Sequence, residues 1–461
     1  MVDRPWTIDY RLSTNKMELK NYKTHAKEGF HLAYPVMLSQ LGHVTMGVAD
    51  NIMVGNLGAA NLAGAGLANV AFNFLLLFGI GVSYAITPLV STADGERDDT
   101  KIASILKHGL LINLCNSLIL VVIVLIGMNV LYHINQPPEV VVLSIPYLSI
   151  ITFSLIPILV FQTFRQFTEG LSLTRIAMII VISANVVNIG LNYLLIYGHG
   201  GFPALGLNGA GYATLTSRVL MAVVFAGYVY LAPRFKKFRN GFSIGNYSKA
   251  LLNKMLHIGI PAGMQFIFEV AAFDFSLVMM GWLGTQALAA HQIAINLATI
   301  SYMTTSGLAA AATIRVSHFL GKKDFGNLRQ AASSLLGVAL LIMTAWAILF
   351  IAGRNFLPVL YVHDAEVIAI AGPLLVIAGL FQLSDGAQVV CIGALRGLQD
   401  VKIPSLLIFI SYWIIGLPLG YLLAFVLGWG AIGIWLGLLL GLTLTATAMF
   451  LRFKKLAGSL K

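Results

Sequence analysis

About a dozen apolar stretches, each of membrane-crossing length, constrain this chain more than any other feature. They run roughly over 30–56, 62–92, 102–128, 139–163, 174–198, 208–232, 255–283, 287–317, 328–352, 366–394, 404–427 and 430–452. A bilayer-spanning helix needs about 20 apolar residues. Hydrocarbon offers no partner to backbone N–H and C=O groups, so each stretch must bond internally and is predicted to be helical. Only 10% of the residues are charged, against roughly 25% in a soluble domain. The reading is an all-α polytopic membrane protein. Residues 1–29 are polar and mixed in charge without an apolar h-region, so the first spanning helix is expected to act as the targeting signal.

Basic residues set the orientation. All of the 29 Lys and Arg except Arg218 and Arg354 fall before the first helix, in every second connection or at the C-terminal end. The positive-inside rule then places both termini in the cytoplasm, consistent with an even helix count. Plasma membrane is expected, the bacterial inner membrane in particular. The net charge of +11 forms no single patch, which argues against a nucleic-acid partner. Cys115 and Cys391 both lie in apolar stretches and suggest no disulfide framework.

An internal repeat divides the chain. At an offset of 226, Pro35 matches Pro261, Gly55 matches Gly281, Leu57 matches Leu283 and Gly58 matches Gly284. The series continues with Thr87 and Thr313, Ser91 and Ser317, Gly95 and Gly321, and Asp98 and Asp324. Near offset 227, Gly170-Leu171 matches Gly397-Leu398. A collinear series at one offset indicates duplication. The predicted organisation is a tail over 1–29, an N-lobe of six helices over 30–232, a basic linker over 233–254, a C-lobe of six helices over 255–452 and a tail over 453–461. Twelve transmembrane helices thus form two pseudo-symmetric six-helix bundles. Repeats of this parallel kind typically place a substrate site at the interface of their halves.

Four acids lie inside the apolar stretches: Asp50, Glu269, Asp274 and Asp385. An ionised carboxylate near a bilayer centre costs roughly 2.5–3.5 kcal/mol on insertion scales. Such a group normally faces a partner, a cavity or an ion path. Asp50 is expected in the outer third of helix 1. Asn188 and Asn192, four apart on one face of helix 5, are expected in the same outer half. A carboxylate beside two amides can bind Na⁺, hold a proton or simply lock two helices together. Glu269 and Asp385 are expected at similar depth, where a shared cation or proton would relieve their repulsion. Gln265 and Gln388 are then candidate oxygen ligands. Nothing beyond burial assigns a task to Asp274.

The remaining polar residues are less specific. His43 and His291 are candidates for proton relay or cavity lining, although a satisfied core histidine is the commoner role. Gln292 is a further cavity candidate. Arg218, alone inside a helix, reads as paired or snorkelling. Gly437 and Gly441 form a GxxxG pair, a sign of close helix packing. No His/Cys spacing suggests a metal cluster. Zinc-protease HExxH and aspartyl-protease GxGD motifs are absent from the sequence, so the chain is not expected to be an enzyme and needs no cofactor.

Several segments resemble one family. YPVMLSQLGHVTMGVADNIMVGNLGAANLAG (34–64) is similar to the first helix and loop of multidrug and toxic compound extrusion (MATE) transporters. AAHQIAINL (289–297) resembles the start of their eighth helix. FRQFTEGLSLTRIAM (164–178) and ALRGLQDVKIP (394–404) resemble their paired helix 4–5 and 10–11 connections. Glu269 together with Asp385 resembles the NorM-like branch. The resemblance implies two six-helix lobes around a V-shaped cavity. It also implies export of cationic or amphipathic small molecules in exchange for Na⁺ or H⁺, by a chain expected to act as a monomer. Its functional carboxylates and amides map onto Asp50, Glu269, Asp385, Asn188 and Asn192. Asp274 lies outside the family pattern. The nearest alternative is a lipid-linked glycan flippase of related fold, which would need a cationic rather than an acidic interior.

Overall fold

The computed structural model describes residues 6–133, 136–243 and 245–460, and their regular structure is entirely helical. The α-helices are α1 (Trp6–Gly55), α2 (Ala59–Ser83), α3 (Ile86–Glu96), α4 (Asp99–Gly127), α5 (Pro138–Phe153), α6 (Leu155–Gly170), α7 (Thr174–Tyr197) and α8 (Leu207–Leu231). They continue with α9 (Lys249–Trp282), α10 (Thr285–Lys322), α11 (Phe325–Ala352), α12 (Ala365–Gly397), α13 (Lys402–Phe409), α14 (Leu417–Tyr421) and α15 (Gly430–Ser459). Ten helical segments among the described residues are long and apolar enough to cross a membrane. The other two crossings read from the sequence coincide with α1 and α10. Helix α10 is rich in hydroxyl residues, and several of these return to its own backbone, as Ser301 does to Ala298 and Thr305 to Tyr302.

Twelve spans become more than twelve helices because proline interrupts some of them. A helical proline donates no bond to the carbonyl four residues earlier. Pro88 leaves the carbonyl of Tyr84 free, and the second span breaks at Tyr84–Ala85 between α2 and α3. Pro157 does the same to Phe153, and the fourth span breaks at Ser154 between α5 and α6. In the eleventh span, Pro418 follows Ile414 by four residues. The backbone there widens into π-helix over Ile410–Gly416, and again over Leu422–Val426. This span packs closely on α15: a Cβ added to Gly437 would lie 2.5 Å from the Gly416 carbonyl oxygen and from the Gly420 Cα. The GxxxG pair therefore does what its spacing suggests.

Duplication is visible atom by atom. Thr87 Oγ1 donates to the Gln166 carbonyl at 3.0 Å, and Thr313 Oγ1 to the Gly393 carbonyl at 2.8 Å. A Cβ on Gly170 would meet Val90 Cβ at 2.8 Å, and one on Gly397 would meet Val316 Cβ at 2.8 Å. Asp98 caps α4 by accepting from Lys101 N at 2.9 Å, and Asp324 caps α11 by accepting from Asn327 N at 3.1 Å. Left-handed turns recur too: Arg97 and Lys323 have φ of 60° and 58°, and Ser172 and Gln399 both have φ of 62°.

Contacts divide the chain into two compact units. The first, here the N-unit, comprises Leu38–Ala271 and Asp400–Leu406. The second, the C-unit, comprises Met1–Met37, Ala272–Gln399 and Leu407–Lys461. The boundaries cut through the long helices α1 and α9 rather than at the 233–254 linker. A matched pair of close crossings explains this. In the N-unit, a Cβ on Gly81 of α2 would lie 2.5 Å from Gly263 Cα of α9. In the C-unit, a Cβ on Gly307 of α10 would lie 2.5 Å from Met37 Cγ and 2.6 Å from the Ala33 carbonyl of α1. Gly81 and Gly307 are repeat mates, and so are Pro35 and Pro261 beside the crossings. The leading part of each long helix thus packs on helices of the opposite sequence half.

The first part of the linker is an ordered strap. Its 3₁₀-helix (Pro233–Phe242) repeats every three residues, so Phe235 and Phe238 share a face and are buried. Both rings pack on Phe167 of α6, at 6.0 and 5.7 Å between centroids.

Helix α1 begins at Trp6, well before the apolar stretch, and its 50 residues span about 75 Å at 1.5 Å per residue. In the C-unit, His25 of this extension is buried and joins a directed chain of hydrogen bonds. Arg315 donates Nη2–H to His25 Nδ1 at 2.5 Å, so Nε2 carries the ring proton and donates to Asn327 Oδ1 at 3.1 Å. Asn327 Nδ2 then donates to Asp324 Oδ2 at 2.6 Å. Glu28 accepts from Arg315 at 2.7 Å. Burial, reinforced by the facing Arg315 charge, pulls the His25 pKa below its ordinary value, against the raising effect of Asn327, Glu28 and Asp324. The unfolded chain binds the extra proton, so this contribution to stability is complete above the unfolded value of about 6.5 and fades as pH falls below it. Thermal unfolding of the purified protein should therefore shift to lower temperature between about pH 7.5 and 5.5, and His25→Gln should reduce that shift. Equal acid sensitivity in both proteins would show that His25 is not its source.

Candidate functional site

Parallel packing of α1 against α7 builds the most developed polar site in the N-unit. Three rungs join them. Asn185 Nδ2 donates to the Gly42 carbonyl at 2.7 Å, Asn192 Nδ2 donates to Asp50 Oδ1 at 2.5 Å, and Tyr197 Oη donates to the Met53 carbonyl at 2.8 Å. The sequence separation is nearly constant along the ladder, as expected of two helices running the same way in register. Glycine at 42 permits the first rung, since a Cβ there would come within 3.1 Å of the Asn185 amide nitrogen.

The middle rung is where chemistry is available. Asn192 Nδ2 also donates to Asn188 Oδ1 at 3.2 Å, which uses both of its hydrogens. Both asparagines are fully buried, yet Asn192 Oδ1 and Asn188 Nδ2 have no partner among the described residues. Each such buried polar atom costs about 1–3 kcal/mol of lost hydration. A carbonyl oxygen without a donor beside a half-buried carboxylate suits a hard cation, which prefers oxygen ligands. It equally suits a proton shared with Asp50.

Arg218 of α8 is held away from direct pairing. Its Nη1 donates to Ser154 Oγ at 2.6 Å, and its guanidinium lies 5.1 Å from the Phe72 ring centroid. Asp50 and Tyr147 both feel its charge. Tyr147 is buried and hydrogen-bonded to Asn69. Arg218 thus braces the break between α5 and α6 while biasing the Asp50 site through space. Half-buried His43 lies about two turns before Asp50 on α1.

The other sequence candidates lie on α9, α10 and α12. Glu269 is half-buried on the part of α9 that belongs to the N-unit, and Gln265, one turn earlier, is buried with Oε1 unpartnered. Asp385 lies in the C-unit on α12 and is 7% exposed. Gln388 there is fully buried and accepts from Tyr412 Oη at 3.3 Å. His291 accepts from Trp435 Nε1 at 3.1 Å, a satisfied core histidine. Gln292 and Asp274 are exposed. Among the described residues no group of three or more His, Cys, Asp or Glu is arranged to hold a metal ion.

A family model described as MatE matches residues 35–194 and 261–422. The chain belongs to the MatE family. The two matches begin 226 residues apart, the offset of the internal repeat. Relatives align with this chain along nearly their whole length. The probable multidrug resistance protein NorM of Rhizobium meliloti (strain 1021) is 34% identical over 441 residues, 95% of this chain and 94% of its own. The multidrug resistance protein MdtK of Yersinia pseudotuberculosis serotype O:1b (strain IP 31758) is 33% identical over 443 residues, 95% of this chain and 96% of its own. A MATE crystal structure in the bent conformation has a TM-score of 0.88 at 20% identity, covering 96% of this chain and 98% of its own. Twelve transmembrane helices in two six-helix bundles are the fold of these transporters.

Sequence reasoning found Asp50, Asn188 and Asn192 but missed Asn185, Tyr147, Asn69 and Ser154. Asn185 had a signal: with Asn188 and Asn192 it makes an i, i+3, i+7 polar stripe on an apolar helix. The other three act across helices and left no pattern. Replacing Asn192 by Leu should remove both donations and lower stability by about 1–3 kcal/mol. Asn185→Leu, which strips the donor from one backbone carbonyl, should cost less, about 1 kcal/mol. Denaturation in detergent micelles measures both, and an Asn192→Leu protein as stable as wild type would contradict the ladder.

Proposed function

We propose that this chain is a cation-coupled exporter that expels cationic or amphipathic small molecules in exchange for Na⁺ or H⁺ by alternating access. The observation that carries the proposal is the Asp50–Asn192–Asn188 site. A carboxylate inside an apolar bundle, joined to an amide pair with two buried unpartnered atoms, is costly unless a cation or proton visits it. Relatives named as multidrug resistance proteins support the substrate class. The positive-inside pattern supports a bacterial inner-membrane location with both termini cytoplasmic. Action as a monomer is part of the same reading.

In this mechanism the coupling ion enters from outside and binds at the carboxylates. Ion binding removes the charge that holds Asp50 to the Asn192 amide and so changes which packing of α1 against α7 is favoured. The membrane potential contributes about 2.3 kcal/mol per charge for each 100 mV traversed. Glu269 and Asp385 are further coupling acids. Half-buried His43 and buried Gln265 are supporting polar groups. A flippase for phosphate-bearing lipids would require basic groups where this chain carries acids, and the relatives' names do not favour it.

Asp50→Asn and Glu269→Gln should each abolish resistance to cationic dyes while the proteins still reach the membrane, read by dye accumulation and immunoblot. Normal efflux in both variants would refute the mechanism. Efflux from proteoliposomes should follow an imposed Na⁺ or pH gradient. A transport rate indifferent to both gradients would remove ion coupling.

A further inference from the structure

Asp274 is the one membrane acid that neither the resemblance nor the Asp50 site accounts for. It sits in the part of α9 that belongs to the C-unit, eight residues before the helix ends at Trp282, or about 12 Å along the axis. One face of this segment is core: Ala272, Ser276, Met279 and Met280 are at most 1% exposed. The other face carries Asp274, Phe275, Val278, Gly281 and Trp282, all exposed.

Two properties of this face are chemically informative. First, the carboxylate has no protein counter-charge. Among the described residues Asp274 takes part in no hydrogen bond or ion pair. No Lys or Arg occurs between Lys254 and Arg315, or between Lys402 and Arg452, the stretches that build this face. Its neighbour Ser276 spends its hydroxyl on the Phe273 carbonyl. Second, aromatic rings line the face. Phe275 packs against Trp413 at 6.2 Å and against Trp282 at 6.3 Å, Trp282 against Phe425 at 5.9 Å, and Phe425 against Tyr421 at 5.0 Å between centroids.

A lone carboxylate turned to hydrocarbon is costly, so this face must meet either water or a cation. An inorganic cation would want several oxygen ligands, and the surroundings are rings and aliphatic carbon. A bulky organic cation fits both features, because its charge meets the carboxylate and its apolar body meets ring faces. We infer that Asp274, with Phe275, Trp282 and Trp413, forms a binding site for lipophilic organic cations, distinct from the coupling site at Asp50. The inference deepens the proposed efflux of cations and rests on it for the substrate class.

The test uses tetraphenylphosphonium as the probe and the full-length protein in nanodiscs and in proteoliposomes. Asp274→Asn should weaken equilibrium binding and raise the KM for efflux by about tenfold, with the maximal rate little changed. Asp274→Glu should recover most of the affinity. Phe275→Leu should weaken binding several-fold without removing the charge. Wild-type binding with an Asp274→Asn protein within about twofold of it overturns this site while leaving the efflux reading intact. Equal loss of the maximal rate in the Asn and Glu variants also overturns it, since that marks a packing role. A wild-type protein that binds no tetraphenylphosphonium sinks both readings. Binding lost in Asp274→Asn alongside transport indifferent to ion gradients supports this site and removes only the coupling.

Discussion

The absence of water in the bilayer core governs most of what this molecule does with polar atoms. Every donor and acceptor placed there must find a partner within the protein or remain at a cost of one or more kcal/mol. The chain meets that demand in an economical way. Hydroxyls return to carbonyls three or four residues back, as Thr45, Ser144, Thr152 and Thr163 do. The membrane arginine divides its charge between a serine and a ring face. The unpartnered amide atoms of Asn188 and Asn192 are not alone, since Gln265 and Gln382 also keep buried amide atoms without a partner among the described residues. What sets Asn192 apart is its bond to the Asp50 carboxylate, and what sets Asp274 apart is a carboxylate with no partner among the described residues.

The duplication separates scaffold from function in the same way. What the halves share is backbone geometry: the threonine-to-carbonyl bonds at Thr87 and Thr313, the aspartate caps at Asp98 and Asp324, and the glycine crossings at Gly81 and Gly307. The acids are not shared. Asp50 corresponds to Ser276, Glu269 to His43 and Asp274 to Val48. A site kept for packing would tend to recur with the packing. The ion and substrate chemistry has instead been placed on a duplicated frame one residue at a time.

Helix positions, the repeat and the Asp50–Asn188–Asn192 set were legible in the sequence because each follows a one-dimensional rule: apolar length, fixed offset, or helical spacing. The breaks at Tyr84 and Ser154 were written there too, through Pro88 and Pro157, but a proline in an apolar run does not by itself say whether a helix kinks or stops. The α1 extension was hidden because residues 1–29 look like a polar tail. His25 is buried there only because Arg315 and Asn327, some 300 positions away, supply partners. Likewise the division of the chain inside α1 and α9 depends on Gly263 reaching Gly81 and Met37 reaching Gly307. No local pattern reports such a meeting.

Those two crossings also bear on how an ion at Asp50 would be felt elsewhere. Helix α1 is continuous from Trp6 to Gly55, with its Arg315-bonded extension and the Gly307 crossing at one end and the Asp50 ladder at the other. Pro35 lies inside the crossing, between Ala33 and Met37, where it removes the bond to the His31 carbonyl. The clamp on the leading segment involves a guanidinium, an imidazole and a glycine contact. The ladder at the trailing segment has one charge-assisted bond to a carboxylate between two bonds to backbone carbonyls. The second is much the easier to switch, because adding a proton or a cation to Asp50 alters it directly. The same proline is repeated at Pro261 in α9, two residues before Gly263 of the Gly81 crossing, and Glu269 and Asp274 follow, so each long helix carries its membrane acids beyond its proline and its glycine crossing.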